Sequence, residues 1–327
     1  MRVTLSSDPR DFTARDWSDL ALADPGATFF HTPRYLKLYW EEFGQDAELV
    51  LAFAQENGRT VGAAAFELAD ETLRFLGGTE VTDYMGPVAL PGTEDRFAKE
   101  LMGAATTVRG WTEADLRGLP EDSPWLGRLA DAAAARGLAV SQEEDSVAPL
   151  VELPASFEAY LAGLPSKLRH EIRRKARRLG LETGGYSLRF ATELSLVDDL
   201  SAFVAMHRAA EGPKGKFMKA GMEIFFRRLG ESFLTDGVFR LAFLEAEGAR
   251  MAGAIAFFFA GTVYLYNSAF DRNYRALAPG MVLVAALIER AIAEGCPRFD
   301  MLKGDLGYKY RFGPKPRAIR RLVLTPR

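Results

Sequence analysis

The stretch from Tyr264 to Phe312 limits the possible folds more than any other part of this 327-residue chain. Tyr264–Phe270 reads as a strand, Asp271-Arg-Asn-Tyr-Arg-Ala-Leu-Ala-Pro-Gly280 as a turn, and Met281–Glu294 as a long helix. That helix is apolar almost all round for three turns, with Glu289 and Arg290 appearing only near its end. A helix without a polar face has to be buried against a sheet. The turn therefore delivers the start of the helix to a sheet edge, in a partly desolvated crevice.

The first turn of a helix leaves about four backbone N–H groups without partners and carries roughly half a positive charge, so a phosphate is a natural guest. Gly280 has no Cβ to hold a ligand away, and Pro279 gives up an N–H that a helix start does not need. Arg272 and Arg275 stand just upstream, where they can bond the same oxygens. An ordinary strand-to-helix connection with two solvated arginines reads the same way, and this segment alone leaves both open.

The rest of the chain repeats the order of elements. Strands at 49–54, 60–68 and 73–76, the first two joined at Glu56-Asn57-Gly58, lead to a loop at 79–92, a helix at 94–109, a strand at 114–116, a helix to Arg136 and strands near 138–142 and 148–153. A helix begins at Pro33 with Thr32 placed as its N-cap. Strands at 239–245, 251–260 and 263–269, a helix at 280–294, a strand at 298–302 and a last strand at 319–324 return the same order at offsets near 185 to 191. Gly212–Phe217 reads as a polar, mobile loop between two helices. The first copy lacks the phosphate-type turn, which assigns the chemistry to the second.

Net charge and composition narrow the function classes. Lys167–Arg178 holds seven basic side chains against Glu171, a local +6 in a chain of net −3, so the remainder carries −9. Leu168, Ile172, Ala176 and Leu179 give this helix an apolar stripe, and its charged faces suit a polyanion or a solvated surface balanced by acidic helices. The single cysteine, Cys296, excludes an internal disulfide and fits a reducing compartment. No signal-peptide pattern opens the chain, and the longest apolar run, Met251–Gly261, is too short to span a bilayer, so a cytoplasmic protein is expected. No His/Cys/Asp spacing has the form of a metal site, and neither a Gly-x-Ser-x-Gly elbow nor a Walker phosphate loop occurs.

Arg275-Ala-Leu-Ala-Pro-Gly280 resembles the pyrophosphate loop of the GNAT acetyltransferase superfamily, with Ala278 where glycine is usual. Together with Lys167–Leu179, Phe270-Asp271 and Phe299-Asp300-Met-Leu-Lys-Gly304-Asp-Leu-Gly-Tyr308-Lys309, it resembles the FemAB-like branch, which includes CelD-type acetyltransferases of cellulose and exopolysaccharide clusters. The resemblance spans roughly residues 29 to 325 and implies an α/β (α+β) chain of tandem GNAT-like domains, each a mixed, mostly antiparallel sheet flanked by helices. Residues 1–155 are then a degenerate, acceptor-side domain, and 156–327 the domain with the donor loop and the basic helix 165–180.

What the resemblance further implies is acyl transfer from acetyl-CoA or another acyl-CoA, used as co-substrate without a metal, to an amine or hydroxyl of a small-molecule or saccharide acceptor. In the aminoacyl branch the donor is an aminoacyl-tRNA, which the basic helix Lys167–Arg178 is charged to meet. Arg275 and the backbone of Ala278, Gly280 and Met281 are expected to hold the pyrophosphate, with Lys309 as an anion clamp and Tyr308 as proton donor. Asp300 and Asp305 are candidates for general base or for orienting the acceptor, with ion pairs to Lys303, Arg311 or Arg298 as the plainer alternative. Asp83, Tyr84, His207 and Tyr266 are candidates for acceptor binding. A non-catalytic module that binds an anionic partner through the basic helix is the reading from a different class.

Overall fold

The computed structural model describes residues 1–13, 16–211 and 213–326, and its elements fall into two units, Met1–Val147 with Arg317–Arg327, and Ala148–Pro316.

The first unit contains β1 (Arg2–Ser6), α1 (Trp17–Ala23), α2 (Pro33–Phe43), β2 (Glu48–Glu56), β3 (Arg59–Ala69), β4 (Thr72–Phe75), β5 (Val88–Ala89), α3 (Glu94–Ala105), β6 (Glu113–Pro120), α4 (Pro124–Ala134) and β7 (Ala139–Val147). Asn57 and Gly58 both take positive φ, 51° and 78°, which a two-residue hairpin turn requires and which pairs Glu56 with Arg59. Thr32 stands before α2 as expected, but its hydroxyl donates back to the Phe29 carbonyl at 2.8 Å instead of capping the helix.

The second unit contains β8 (Leu150–Glu152), α5 (Phe157–Gly163), α6 (Ser166–Glu182), β9 (Ser187–Phe190), α7 (Leu196–Arg208), α8 (Pro213–Phe217), α9 (Ala220–Phe233), β10 (Phe239–Ala246), β11 (Ala249–Phe259), β12 (Thr262–Phe270), α10 (Pro279–Ala293) and β13 (Arg298–Asp300). Of the expected loop at 212–217, Gly212 lies outside the described residues and Pro213–Phe217 is the short helix α8.

Both units follow one plan. Three antiparallel strands (β2-β3-β4, β10-β11-β12) are followed by a helix and a strand parallel to the third (β4 with β6, β12 with β13). A parallel neighbour cannot be reached by a tight turn, so the chain has to cross over the sheet through a helix that is then buried. α10 buries Leu283, Leu287 and Ile288 completely, against a β11 whose facing residues are Ala252, Ala254 and Ala256. In the first unit Phe97 of α3 lies so close to the sheet that a Cβ on Gly62 would fall 2.5 Å from its ring.

The last strand, β14 (Ala318–Thr325), differs from the sequence reading. It inserts antiparallel between β6 and β7 of the first sheet, and β8 pairs antiparallel with β13 at the edge of the second. The sequence places 148–153 with the first half, 319–324 with the second and the boundary at 155/156. Strand pairing runs through the backbone, and a short apolar strand reads the same whichever edge it completes.

The loop between β4 and β5 is pinned by buried side chains. Tyr35 donates to the Val81 carbonyl at 2.9 Å, and the Met85 amide donates to Gly118 at 3.1 Å. His31 accepts the Thr28 amide on Nδ1 at 3.0 Å and is bonded to the backbone of Met85. Burial lowers its pKa from 6.5 to about 4. Since the folded value lies below the unfolded one, the neutral ring contributes its full stability above pH 6.5 and loses it as pH falls towards 4. At 1.36 kcal/mol per unit this is at most about 3 kcal/mol. Denaturant unfolding of the wild type and of His31→Asn between pH 7 and 4 should show the wild type losing more stability over that interval; parallel curves would mean that His31 does not titrate there.

Candidate functional site

The opening in the second sheet follows from how little β12 and β13 share. They pair over Thr262–Tyr264 and Arg298–Asp300 only, while β12 continues to Phe270. A bulge then changes which way β12 faces: Asn267 pairs with Ile255 and Leu265 with Ala256, leaving Tyr266 as the extra residue. Val263 and Leu265 pack with α10, and past the bulge Ser268 and Phe270 take that side, where strict alternation would have put Asn267 and Ala269.

Ser268 and Phe270 form one wall of a cleft of about 310 Å³, whose other lining includes Arg275, Ala278, Gly280, Met281, Tyr308 and Arg311. The turn that leads into it is a 3-10 segment, Arg272–Leu277, capped by Asp271, which accepts the Asn273 amide at 2.9 Å. Ala278 takes φ 54° and ψ 50°, and α10 begins beyond it with no side-chain cap. Met281 and Val282 donate to the Ala278 carbonyl at 3.1 and 3.4 Å, and among the described residues the Gly280 amide has no acceptor. One uncommitted N–H and the positive end of a 15-residue helix thus open on the cleft.

Tyr308 bonds its hydroxyl to Ser268, and burial raises its pKa, with that hydrogen bond acting the other way. The phenol is therefore protonated near neutral pH and able to donate. The residue as a whole is 39% exposed. Arg275 is largely exposed, 3.9 Å from Glu211, which also pairs with Arg272. Arg311, not singled out as an anion contact from the sequence, lies in the cleft and bonds Glu171 of α6 at 3.3 Å.

The cleft brings together Tyr308, Arg275, Ala278, Gly280 and Met281, and five other candidates of this unit stand elsewhere. Lys309 is not an exposed clamp: it is 3% exposed, and its ammonium donates to the carbonyls of Leu302 and Lys303 at 2.8 Å each. Asp300 is buried and accepts the Leu302 amide at 2.8 Å, so this pair of charges shapes the turn after β13. Asp305 is exposed and bonded by Tyr310. His207 is fully buried, its Nε2 3.0 Å from Asn267 Oδ1, and the same oxygen accepts the Ser268 amide at 2.9 Å. It supports the bulge from behind. Tyr266 packs edge-on against Phe226 and Phe257. Asp83 and Tyr84 belong to the first unit, where Tyr84 is fully buried and Arg317 donates to its hydroxyl.

The basic helix α6 packs against α10 and the 3-10 turn. Ile172 and Leu179 are buried, with Leu168 and Ala176 beside them in the core, as the stripe in the sequence requires. Arg173 pairs with Glu158 at 2.6 Å and Arg178 with Glu182 at 3.8 Å, while Lys167, Arg169, Arg174, Lys175 and Arg177 have no ion pair among the described residues, Arg169 donating to the Ala162 carbonyl at 3.2 Å.

These two units, each with three antiparallel strands, a crossover helix and a parallel strand that separates from its neighbour, define a tandem GNAT-like fold. Residues 166–310 match the family model described as the acetyltransferase (GNAT) domain. The crystal structure of FemX is similar with a TM-score of 0.69 at 9% identity, over 98% of this chain and 97% of that one. The C-terminal domain of a putative lysylphosphatidylglycerol synthetase from Agrobacterium fabrum gives 0.60 at 13% identity, over 97% and 92%. A tandem GNAT protein from the clavulanic acid biosynthesis pathway gives 0.50 at 14%, over 98% of each. The search of curated proteins finds no match. Among the described residues no helix is long and apolar enough to cross a membrane.

The left-handed conformation costs an alanine about 1–2 kcal/mol, and glycine adopts it freely while losing more entropy on folding. Ala278→Gly is accordingly expected to raise the unfolding free energy by about 0.5–1 kcal/mol in a denaturant titration; a fall would show that the turn is not strained at Ala278.

Proposed function

We propose that the second unit transfers an acyl group from an acyl-coenzyme A to an amine or hydroxyl of a small-molecule or saccharide acceptor. The observation that carries this reading is the uncapped start of α10, where the free Gly280 amide faces a cleft inside the region that matches the GNAT family. In this reading the pyrophosphate of the donor meets that amide and the helix dipole, with Arg275 and Arg311 supplying charge. The apolar walls, Phe270, Met281 and Val284, suit the pantetheine arm.

The acceptor attacks the thioester carbonyl, a carbon–oxygen or carbon–nitrogen bond forms, and the carbon–sulfur bond breaks. Tyr308 then gives its proton to the departing thiolate, and the proton that the acceptor nitrogen or oxygen loses on bond formation passes to solvent, from which the tyrosinate is reprotonated; a phenol whose protonated form is favoured by burial is fitted to the donor role. Asp300 and Lys309 act on this chemistry by fixing the turn that presents Tyr308. The CelD-type resemblance favours a saccharide of surface polysaccharide production as acceptor.

A second reading, transfer from an aminoacyl-tRNA, is favoured by one observation: α6, packed against the turn that leads into the cleft, carries five cationic side chains that form no ion pair among the described residues. The donors are separated by incubating the protein with acetyl-coenzyme A and a panel of amines and amino sugars while following free thiol, and in parallel with charged tRNA while following aminoacyl transfer. Thiol release that depends on acceptor supports the first reading, and transfer only from tRNA supports the second. Tyr308→Phe should lower kcat by about 100-fold, within the range for loss of a proton donor, with KM for acetyl-coenzyme A changed less than about 3-fold. Arg311→Ala should raise that KM roughly 5-fold. Unchanged turnover in both variants would remove these residues from the site.

A further inference from the structure

The sheet of the first unit holds a pocket of its own, formed where β4 ends and β6 runs on. Glu67 of β3 is paired in register with Arg74 of β4, and Arg74 with Asp115 of β6, so the three side chains share one face of the sheet. They line a pocket of about 370 Å³ closed by Gly78 and Thr79 of the loop after β4 and by Arg117.

The four charges of this pocket are not equivalent. Asp115 is almost fully buried and satisfied, taking Arg117 Nε at 2.9 Å and Arg321 Nε at 2.6 Å, and Arg117 also reaches Asp145 at 3.4 Å. Glu67 forms no hydrogen bond and no ion pair among the described residues. Arg74, its cross-strand neighbour, donates once to the Ala69 carbonyl at 3.2 Å and forms no ion pair among the described residues. Burial raises the pKa of Glu67, and Arg74 lowers it without offsetting that effect. A half-buried carboxylate and a half-buried guanidinium thus stand side by side, each acting on the other's charge but neither held in an ion pair, so both keep hydrogen-bonding capacity that a guest can take up.

A hydroxyl completes the set. Tyr39 of α2 is 6% exposed, its phenol makes no hydrogen bond among the described residues, and burial raises its pKa, with the nearby Glu67 carboxylate adding to that effect. Its oxygen stands 2.5 Å from where a Cβ on Gly78 would sit, and Gly78 has φ 63°. Any other residue at 78 would displace the hydroxyl, so the glycine admits Tyr39 to the pocket edge at the cost of a flexible backbone.

We infer that this pocket binds a small zwitterion, its ammonium seated on Glu67 beside the Tyr39 hydroxyl and its carboxylate on Arg74, as a free amino acid would present them. Such a guest gives the carboxylate and the guanidinium a directly bonded partner each, and a guest with only one charge leaves one of the two without. The site is built from residues of the first unit alone. Its occupancy is measured without any acyl donor, so its failure would not touch the reading of the second unit.

The test uses the full chain and three small probes followed by amide chemical shifts: L-serine, ethanolamine, which lacks the carboxylate, and 3-hydroxypropanoate, which lacks the ammonium. Serine should saturate shifts around Glu67 and Arg74, with the other two probes binding at least about 10-fold more weakly, the usual loss for one charged hydrogen bond. Glu67→Gln and Arg74→Met should each weaken serine by at least about 10-fold. Because Glu67 satisfies nothing in the empty protein, Glu67→Gln should also melt no lower than the parent, which a merely structural carboxylate would not allow. Absence of shifts with serine at 100 times the concentration of protein, or serine binding within about 3-fold of wild type in both variants, overturns the proposal.

Discussion

Three parallel residue pairs, Thr262–Tyr264 against Arg298–Asp300, are all that joins β12 to β13, and the candidate cleft depends on that brevity. A longer ladder would have closed the sheet, and no ladder would have lost the edge on which β8 completes it. Parallel pairing also imposes the crossover through α10, and burying that helix leaves its N-terminus at the point where the strands part. The bulge at Tyr266 finishes the arrangement by turning Ser268 towards the cleft, with His207 holding Asn267 from the opposite side.

The two units share this plan and differ in charge. α3 begins with Glu94 and Asp95, acidic residues that answer its own dipole, whereas α10 has no acid in its first turn. A helix start that carries its own carboxylates repels an anion, and one without them invites it. In the first unit the space beyond the parallel pair is filled instead by the loop that Tyr35, Thr82 and His31 pin down, and the pocket that remains there is lined by both signs of charge.

Much of this was legible in the chain. The hairpin at Asn57-Gly58, the apolar stripe of α6 and the all-round apolar α10 are local patterns, and each appears within a few residues of its expected span. Arg275 and Gly280 could be placed beside the cleft because the turn before a buried helix has few conformations, and Tyr308 because it follows a strand whose partner lines that cleft. Lys309 was not, since a lysine that folds inward to carbonyls six and seven residues back has the same sequence signal as one in water. Ser268 was hidden for a different reason: a bulge inverts the alternation from which facing is inferred, and nothing in Tyr266-Asn267-Ser268 announces it.

By itself the sequence determined that two copies of one α/β plan would form, that the second would present an open helix start, and that a basic helix would lie with it, because each is a matter of short-range periodicity and backbone freedom. The tertiary structure decided which sheet β8 and β14 complete, which of the charged residues face a pocket, and which are consumed within the fold. Those outcomes rest on pairings between segments up to about 200 residues apart, such as Arg321 with Asp115, for which a linear chain holds no signal.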